Sequence, residues 1–257
     1  MITYLIIFLS ILGLLTIFGR RCVLTLKRKV EVDETPVVEE KEEKTKAKRF
    51  SSDEKKNLEK FYNRSLALIK KNEPKEAVKV LVQALAINPD FQDGLKELGK
   101  LYLDQKLWGK AAAVYKSLVE LTEDPVDYSH LGAASYNAGD LKEAATAYQN
   151  SISLDPKRPQ RYLSLGQVYR DMEKSQLALI AFNKAVELDK ENVDYLLLCA
   201  DTQMDLGNSA DAELVLKRVL ELAPTSKLAK EMIKTIEELR KDEPAPKPKK
   251  RAKKSEK

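Results

Sequence analysis

The chain has 257 residues, of which 43% are hydrophobic and 33% are charged, and it contains only nine glycines. This composition suits a mostly helical protein that can bury a continuous core. The 45 basic and 40 acidic side chains leave a formal net charge of +5, and the two cysteines imply no disulfide framework.

The N-terminal segment, residues 1–26, has the pattern of a membrane anchor. Residues 2–18 carry no charge, and Arg20 and Arg21 follow shortly after them. A cleaved signal peptide needs basic residues before the apolar stretch and small residues at a cleavage site, and neither is present. The pattern therefore favours one uncleaved transmembrane helix over a signal peptide. The positive-inside rule then predicts a single-pass membrane protein whose remaining chain is cytoplasmic.

Residues 27–57 alternate short acidic and basic blocks with few apolar side chains. Such a segment cannot bury enough surface to order itself. We therefore expect a charged, disordered linker after the anchor. Cys22, at the predicted membrane boundary, could be acylated in a eukaryotic host, although the sequence favours an incidental thiol.

From residue 58 onward, the chain repeats itself every 33 or 34 residues. One column always holds alanine, and a second column, twelve positions earlier, holds only small residues. An aromatic residue or leucine follows each alanine by four positions, as Phe182 follows Ala178. This spacing predicts pairs of antiparallel helices that touch where neither carries a bulky side chain. The two columns are Ala77, Ala111, Ala144, Ala178 and Ala212, and Ser65, Gly99, Gly132, Gly166 and Ala200.

Turn and stop signals fit the same period. Gly139 and Gly207 provide turn chemistry between paired helices. Proline lacks the amide proton that continues a helix, so prolines predict where second helices end. The three prolines in this position are Pro89, Pro156 and Pro224. The fullest set of repeat residues is Tyr162, Leu165, Gly166, Tyr169, Ala178, Phe182 and Ala185.

On these residues the chain resembles the tetratricopeptide repeat family, whose unit is a 34-residue helix-turn-helix. The resemblance implies an all-α, right-handed α-solenoid of five repeats, preceded by one transmembrane helix. A capping helix at residues 227–241 is expected to cover the last apolar face and to complete a domain over residues 58–241. Its apolar stripe is predicted to be Leu228, Met232, Ile233, Ile236 and Leu239. The repeats are predicted at residues 58–91, 92–124, 125–158, 159–192 and 193–226.

The order of segments, an anchor ending in Gly-Arg-Arg and then cytoplasmic repeats, also resembles bacterial membrane-anchored regulators of lipopolysaccharide assembly. Those regulators carry a C-terminal zinc-binding module built from paired Cys-x-x-Cys motifs, and this chain has none. The resemblance therefore implies a membrane-anchored tetratricopeptide repeat protein of bacterial type, and it implies no pathway.

The C-terminal tail, residues 242–257, is rich in lysine and proline. Residues 241–257 contain eight basic and three acidic side chains, so the rest of the chain is neutral. We expect a disordered, solubilising tail. The alternative is a tail that binds RNA, ribosomes or anionic lipid through charge alone.

No familiar catalytic site is evident in the sequence. His130 is the only histidine, and the chain lacks a glycine-rich phosphate loop and the Gly-x-Ser-x-Gly and His-Glu-x-x-His motifs. We therefore predict a protein that is not an enzyme and that holds no cofactor or metal. His130 is interpreted as a polar residue of the surface or groove, and Cys199 as a small buried apolar residue.

In the tetratricopeptide repeat family, the first helix of each repeat lines a concave groove. The resemblance places lysines in this groove in the first two repeats and aspartates in the fifth. Such polarity favours an extended peptide that is acidic at one end and basic at the other. The alternative is ordinary solvent-exposed charge. The predicted protein-binding groove residues are Tyr62, Lys70, Lys96, Lys100, Tyr136, Asn137, Gln167, Arg170, Asp194, Asp201 and Asp205.

Two narrower interpretations of the groove are not favoured. The family's clamp for the C-terminal carboxylate of chaperones is matched only by Lys96 and Lys100, so chaperone docking is not predicted. The aspartates of the fifth repeat could hold a hard cation, but helical carboxylates without loop oxygens rarely do. The predicted function is therefore a membrane-tethered adaptor that binds a protein partner, as a peptide or helix, in the groove. Nucleic acid is a less favoured partner.

Overall fold

The computed structural model describes residues 51–242, and this part of the chain contains eleven α-helices and no strand. Most of the helices have 13 or 14 residues, and short turns join them. In chain order they are α1 (Ser52–Lys70), α2 (Pro74–Ile87), α3 (Gln92–Asp104), α4 (Trp108–Leu121), α5 (Pro125–Ala138), α6 (Leu141–Leu154), α7 (Pro159–Asp171), α8 (Ser175–Leu188), α9 (Val193–Asp205), α10 (Ser209–Leu222) and α11 (Lys227–Asp242).

The helices stack in chain order, each packed against the next. Their buried residues follow the spacing of one helical face. In α8, Ala178, Phe182 and Ala185 are fully buried, whereas Ile180 on the opposite face is 63% exposed. The described residues therefore form an all-α solenoid of five helix pairs followed by α11, which confirms the architecture that the repeat spacing predicts.

The three glycines of the small-residue column lie where the two helices of a pair touch. A Cβ atom at Gly166 would lie 2.4 Å from Cε1 of Phe182, and one at Gly99 would lie 2.8 Å from Cε2 of Tyr115. Both rings are almost completely buried, so neither has room to move away. The aromatic ring of the second helix therefore packs directly on the backbone of the first, and this contact requires glycine. The prediction that neither helix carries a bulky side chain at the contact is wrong, because only the first helix is small there.

The turn between paired helices has the same backbone in every repeat. One residue in each turn has a positive φ angle: Asn72 at 59°, Lys106 at 56°, Gly139 at 88°, Glu173 at 59° and Gly207 at 75°. The sequence predicts the two glycines. At the other three turns, a side chain is held in a backbone region that only glycine adopts without cost.

The predicted stop signals are also confirmed. Helices α2, α6 and α10 end at Ile87, Leu154 and Leu222, each two residues before a proline. The backbone N–H groups that follow these helices close the last turn by donating to carbonyls four residues back, as Asn88 does to Ala84 at 3.1 Å.

Helix α1 begins earlier than the sequence predicts. The linker was expected to reach residue 57, but α1 starts at Ser52. The Ser51 hydroxyl accepts a hydrogen bond from the Glu54 backbone N–H at 3.1 Å, and the Glu54 carboxylate accepts one from the Ser51 N–H at 2.8 Å. This capping box satisfies two N–H groups that a helix start leaves unpaired, so it fixes the boundary at Ser51.

Helix α11 covers the end of the stack, one residue longer than predicted. Its buried residues Ala229, Met232 and Ile236 pack on the core formed by α9 and α10. The predicted apolar stripe is only partly buried, because Leu228 and Leu239 are 53% and 55% exposed.

The predicted anchor at residues 1–26, most of the linker and the tail from residue 243 lie outside the described residues. Within residues 51–242, no helix is both long enough and apolar enough to cross a membrane.

Candidate functional site

Three neighbouring depressions lie along the first helices of the last three repeats and α11. The arginine depression lies between α5 and α7, the central depression lies over α7 between α5 and α9, and the aspartate depression lies between α9 and α11. The first two share Gln160 and Ser164, and the last two share Leu198. The depressions are therefore contiguous and make one groove across four helices.

The arginine depression has a volume of about 340 Å³ and includes Arg158, Arg161, Ser129 and Ser164 in its wall. Arg161 is only 7% exposed. Its Nη1 atom lies 2.8 Å from Oδ2 of Asp155 and donates to the Asp155 carbonyl at 2.6 Å. The hydrogen bond from Arg161 is the main cause that lowers the pKa of Asp155. Arg161 is thus a buried cation held in one orientation.

The central depression has a volume of about 260 Å³ and is lined mainly by aromatic, aliphatic and amide side chains. Leu163 and Leu198 provide aliphatic surface, and Tyr136 and Tyr148 provide aromatic surface. Gln167 contributes a polar rim. Because apolar walls with a few polar groups are typical of binding sites, this depression suits an apolar side chain of a ligand.

The aspartate depression has a volume of about 440 Å³. Asp194 and Asp201 are its acidic members, and Leu197, Leu198, Leu228 and Met232 provide apolar surface. Both aspartates lie on α9, seven residues apart, so they share a face of the helix. The exposed Leu228 on α11, which the sequence assigned to the capping stripe, belongs to this depression instead.

The predicted groove residues of the first two repeats interact mainly within the chain. Lys96 Nζ lies 3.4 Å from Oδ2 of the buried Asp127 and 3.5 Å from Oδ2 of Asp124. Burial opposes the charged form of Lys96, but these two carboxylates raise its pKa overall. Lys100 pairs with Glu97 at 2.8 Å. The structure therefore neutralises two of the three lysines on which the predicted groove polarity depended.

The other two predicted residues of the first two repeats, Tyr62 and Lys70, lie on α1, at the N-terminal end of the repeat domain. The Tyr62 ring meets the Phe91 ring edge-on, with the centroids 5.1 Å apart. Burial, followed by the charges of Asp93 and Glu97, raises the pKa of Tyr62. Lys70 is exposed in the last turn of α1. Neither residue borders the three depressions.

Predicted residues of the later repeats are connected across helices. The Tyr136 hydroxyl on α5 donates to Oδ2 of Asp171 on α7 at 2.6 Å, and Gln167 donates to the other oxygen of Asp171 at 2.9 Å. The bond to Asp171 is the main cause that raises the pKa of Tyr136. Arg170 on α7 pairs with Oδ2 of Asp201 on α9 at 2.8 Å. These bonds fix the spacing of the first helices along the groove.

Four of the eleven predicted residues line the depressions: Tyr136, Gln167, Asp194 and Asp201. Asn137 instead donates to the Ala133 carbonyl of its own helix at 2.8 Å. Asp205 is exposed at the end of α9, outside the aspartate depression.

The sequence did not predict Arg161 at one end of the groove or Leu228 at the other. Arg161 occupies a repeat column in which the other repeats have Lys60, Gly94, Asp127 and Tyr195. A column without a common residue type signals no shared role, so only the tertiary contacts identify Arg161. Leu228 was missed because α11 has the apolar spacing of a cap.

His130 is more enclosed than a surface residue. Its ring lies 5.0 Å from the Tyr115 ring on α4, and its Nδ1 atom is buried without a hydrogen-bond partner within the described part of the chain. Burial lowers the pKa of His130 and raises that of Tyr115. Cys199 is buried as predicted, and burial raises the pKa of its thiol to about 12.

Comparison with known families agrees with the observed helix pairs. Profiles described as "Tetratricopeptide repeat" match residues 68–134 and 159–192, and one described as "TPR repeat" matches residues 132–173. The repeat domain belongs to the tetratricopeptide repeat family. Tetratricopeptide repeats commonly mediate protein–protein interactions by binding peptide or protein partners.

Two curated relatives share the tetratricopeptide repeat sequence over only part of their length. The human "Protein O-mannosyl-transferase TMTC3" is 28% identical over 192 residues, which are 68% of this chain and 21% of that protein. The "Peroxisomal targeting signal receptor" of Komagataella phaffii is 30% identical over 108 residues, which are 42% of this chain and 19% of that protein. The chain thus matches about a fifth of the length of these relatives.

Solved structures share the tetratricopeptide repeat fold. MamA matches with a TM-score of 0.62 and 22% identity, over 76% of this chain and 100% of that one. YrrB, described as "a TPR protein with an unusual peptide-binding site", matches with a TM-score of 0.61 and 18% identity, over 70% of this chain and 97% of that one. Both likenesses concern the fold.

Proposed function

We propose that the protein is a non-catalytic adaptor that binds a partner protein, through an extended peptide or a helix, along the groove of its last three repeats. The observation that carries this proposal is the contiguity of the three depressions across α5, α7, α9 and α11. A row of depressions that crosses several helices suits a ligand longer than a small molecule.

The chemistry of the groove supports binding more than catalysis. Two ion pairs occupy charged groups along the groove, Arg161 with Asp155 and Arg170 with Asp201. A catalytic site would hold an acid, base or nucleophile whose pKa is matched to proton transfer. Cys199 has a thiol pKa raised to about 12 and lies buried in the core, which does not suit a nucleophile.

We further propose that residues 1–26 tether the repeats to a membrane, with the repeats on the cytoplasmic side. The uncharged residues 2–18, followed by arginines, support this part of the proposal. Tethering would raise the concentration of the groove near membrane-associated partners.

Groove binding can be tested by a bulky substitution at a residue that lines both the arginine and the central depression. Gln160 is exposed and lines both the arginine and central depressions. We expect Gln160→Trp to fill this space and to abolish recovery of partner proteins when the full-length chain is purified from its own cells after cross-linking. Recovered proteins are quantified by mass spectrometry.

A matched control is Gln176→Trp, which places the same side chain at an exposed position of α8, away from the three depressions. It should retain the partners, as should a chain that lacks residues 243–257. Equal recovery with the Gln160→Trp variant would exclude the groove from partner binding. Loss of partners only on removal of the tail would favour the charged tail as the binding element.

The tether is tested separately by fractionation. We expect the full-length chain to stay with membranes after carbonate extraction and a chain without residues 2–18 to be released. Release of both would contradict the tether and would leave the groove proposal unaffected.

A further inference from the structure

The two ends of the groove have opposite charge. Arg158 and Arg161 lie in the wall of the arginine depression, and Asp194 and Asp201 lie in the wall of the aspartate depression. The central depression between them is lined by tyrosine and leucine side chains with a polar rim. This order of chemistry along one groove can discriminate among peptides, because each depression suits a different class of side chain.

The arginine depression retains donors for an anion. The Arg161 guanidinium uses Nη1 for Asp155 and directs Nε towards the Ser129 hydroxyl at 3.3 Å, and its Nη2 group donates no hydrogen bond within residues 51–242. Arg158 is largely exposed, and its Nε lies 3.8 Å from Asp155. Two guanidinium groups against one carboxylate leave a net positive charge at this end.

Burial strengthens this arrangement. Arg161 is held at Nη1 by the carboxylate and the backbone carbonyl of Asp155, in the loop before α7, and at Nε by the Ser129 hydroxyl. Its unused donors are therefore ordered before any ligand arrives, which lowers the entropy that binding must cost. A ligand carboxylate can accept hydrogen bonds from the Nη2 group of Arg161, which is unpaired within residues 51–242. A hydrogen bond between two charged groups is stronger than one between neutral groups.

The aspartate depression retains acceptors for a cation. The Asp194 carboxylate forms no ion pair or hydrogen bond within the described helices, and the residue is exposed. Asp201 accepts from Arg170 through Oδ2 only, so its other oxygen is available. The aliphatic surface of Leu197, Leu228 and Met232 lies beside these carboxylates. Lysine and arginine suit such a place, because their stems are apolar and their heads are charged.

Helix spacing sets the distance between the two ends. The arginine depression lies between α5 and α7 and the aspartate depression between α9 and α11, so two steps between neighbouring first helices separate them. Neighbouring first helices are joined by side-chain contacts, such as Tyr136 to Asp171 and Arg170 to Asp201. Helices in contact lie about 8–10 Å apart, and an extended chain advances about 3.3 Å per residue. The separation of about 16–20 Å therefore corresponds to about five or six residues of an extended peptide.

We propose that the groove selects an extended peptide with a glutamate or aspartate in the arginine depression, an apolar residue in the central depression, and a lysine or arginine about five or six residues from the acidic one. This inference rests on the peptide-binding function proposed above and specifies its ligand. It also moves the basic end of the groove from the lysines of the first two repeats to the junction of the third and fourth.

The probe for this inference is a set of short fluorescein-labelled peptides of serine and alanine that carry one Glu, one Leu and one Lys. The Glu–Lys separation is varied on both sides of the expected value and in both chain orders. Binding to the full-length protein in detergent micelles is measured by fluorescence anisotropy. Affinity should be greatest at a separation of about five or six residues and should fall about fivefold when Ser replaces either charged residue.

Charge reversal in the protein shows which end of the groove binds which charged residue of the peptide. Arg158→Glu should remove the preference for Glu in the peptide. Asp194→Lys should remove the preference for Lys and should instead bind the peptide that has Glu in its place. Both residues are exposed, so neither variant should disturb folding.

Matched controls place the same charge changes on neighbouring exposed residues outside the depressions. Lys157→Glu adjoins Arg158, and Asp205→Lys lies on the same helix as Asp194. Both control variants should retain the peptide preference of the natural chain. Equal effects of the controls and the groove variants would show a general charge effect and would overturn the assignment.

The outcomes separate this inference from the proposed function. Peptides that bind equally well with and without their charged residues would overturn the inference and would leave groove binding intact. Failure of every peptide to bind would also overturn the inference, whereas groove binding itself is decided by the Gln160→Trp variant. A phosphoserine peptide that binds more than about tenfold tighter than its Glu counterpart would assign the arginine depression to phosphate and not to a carboxylate.

Discussion

The contact between paired helices and the lining of the groove are formed by the same first helices, but only the contact recurs from repeat to repeat. On one face of these helices, Gly99, Gly132 and Gly166 each meet an aromatic ring of the partner helix. On the groove face, α5, α7 and α9 present different chemistry at each step. Packing therefore restricts one face to a narrow choice of residues and leaves the other free to vary, so selectivity can reside there.

The largest effect should come from removing a ring of the recurring contact. Phe182 is fully buried against Gly166, so Phe182→Ala should lower the free energy of unfolding by about 3–5 kcal/mol. The control Ile180→Ala on the same helix changes a side chain that is 63% exposed and should cost far less. Urea unfolding of the two variants measures the difference. Similar losses would contradict the division between packed and free faces.

A larger residue at Gly166, on the other side of the contact with Phe182, should have the next largest effect. Gly166→Leu would overpack the contact with Phe182 and should cost about 1–3 kcal/mol. Gly109→Ala on α4 is the control, because a Cβ there meets no atom within 4 Å. Since alanine is the better helix former, that variant should gain up to about 1 kcal/mol. Thermal unfolding unchanged by Gly166→Leu would show that the helix register is wrong.

A smaller effect is expected at the repeated turn. Glu173 has a φ of 59°, in the region that disfavours residues with a Cβ. Glu173→Gly should therefore raise stability by about 0.5 kcal/mol, after the extra freedom of glycine in the unfolded chain is subtracted. Gly207→Glu makes the reverse change at the equivalent turn, where φ is 75°, and should destabilise. Urea midpoints measure both changes, and the same sign for both would refute a common turn.

The smallest effect should be a pH dependence from His130. Burial lowers its pKa below the ordinary value of 6.5, so as the pH falls the unfolded chain takes up the proton before the folded chain does. Stability should therefore be fully present above pH 6.5 and should decrease as the pH falls below it. NMR titration of this single imidazole should give a pKa below 6.5, and His130→Gln should flatten the stability profile between about pH 7.5 and pH 5.5. A profile that the substitution does not change would place His130 outside the packed face.

How much the sequence predicts differs between the two faces. The alanine and glycine columns predict the helix pairs correctly because the close contact tolerates few residue types. The prolines likewise predict the ends of the second helices at Ile87, Leu154 and Leu222. The start of α1 was predicted six residues late, since the capping box at Ser51 lies within a segment whose composition indicates a linker.

The groove was predicted less well, for an electrostatic reason. Lys96 and Lys100 are groove candidates by position, yet Asp124, Asp127 and Glu97 lie close enough to pair with them. Position within a repeat says nothing about such partners, because they come from the start of the first helix of the next repeat or from the same helix. For the same reason, repeat position did not identify Arg161 as a groove residue, since its role depends on Asp155 of the preceding loop.

The repeat columns alone predict the resemblance to the tetratricopeptide repeat family, the number of helix pairs and the buried positions, because a repeated steric requirement leaves the same residue types at the same spacing. The packing of the helices against one another sets which charges face the groove unpaired and where its depressions join. Those properties depend on distances between side chains of different helices, such as the 3.4 Å from Lys96 to Asp127 and the 2.8 Å from Arg170 to Asp201. Coulomb interactions and hydrogen bonds act over these short distances, and one linear pattern does not encode them.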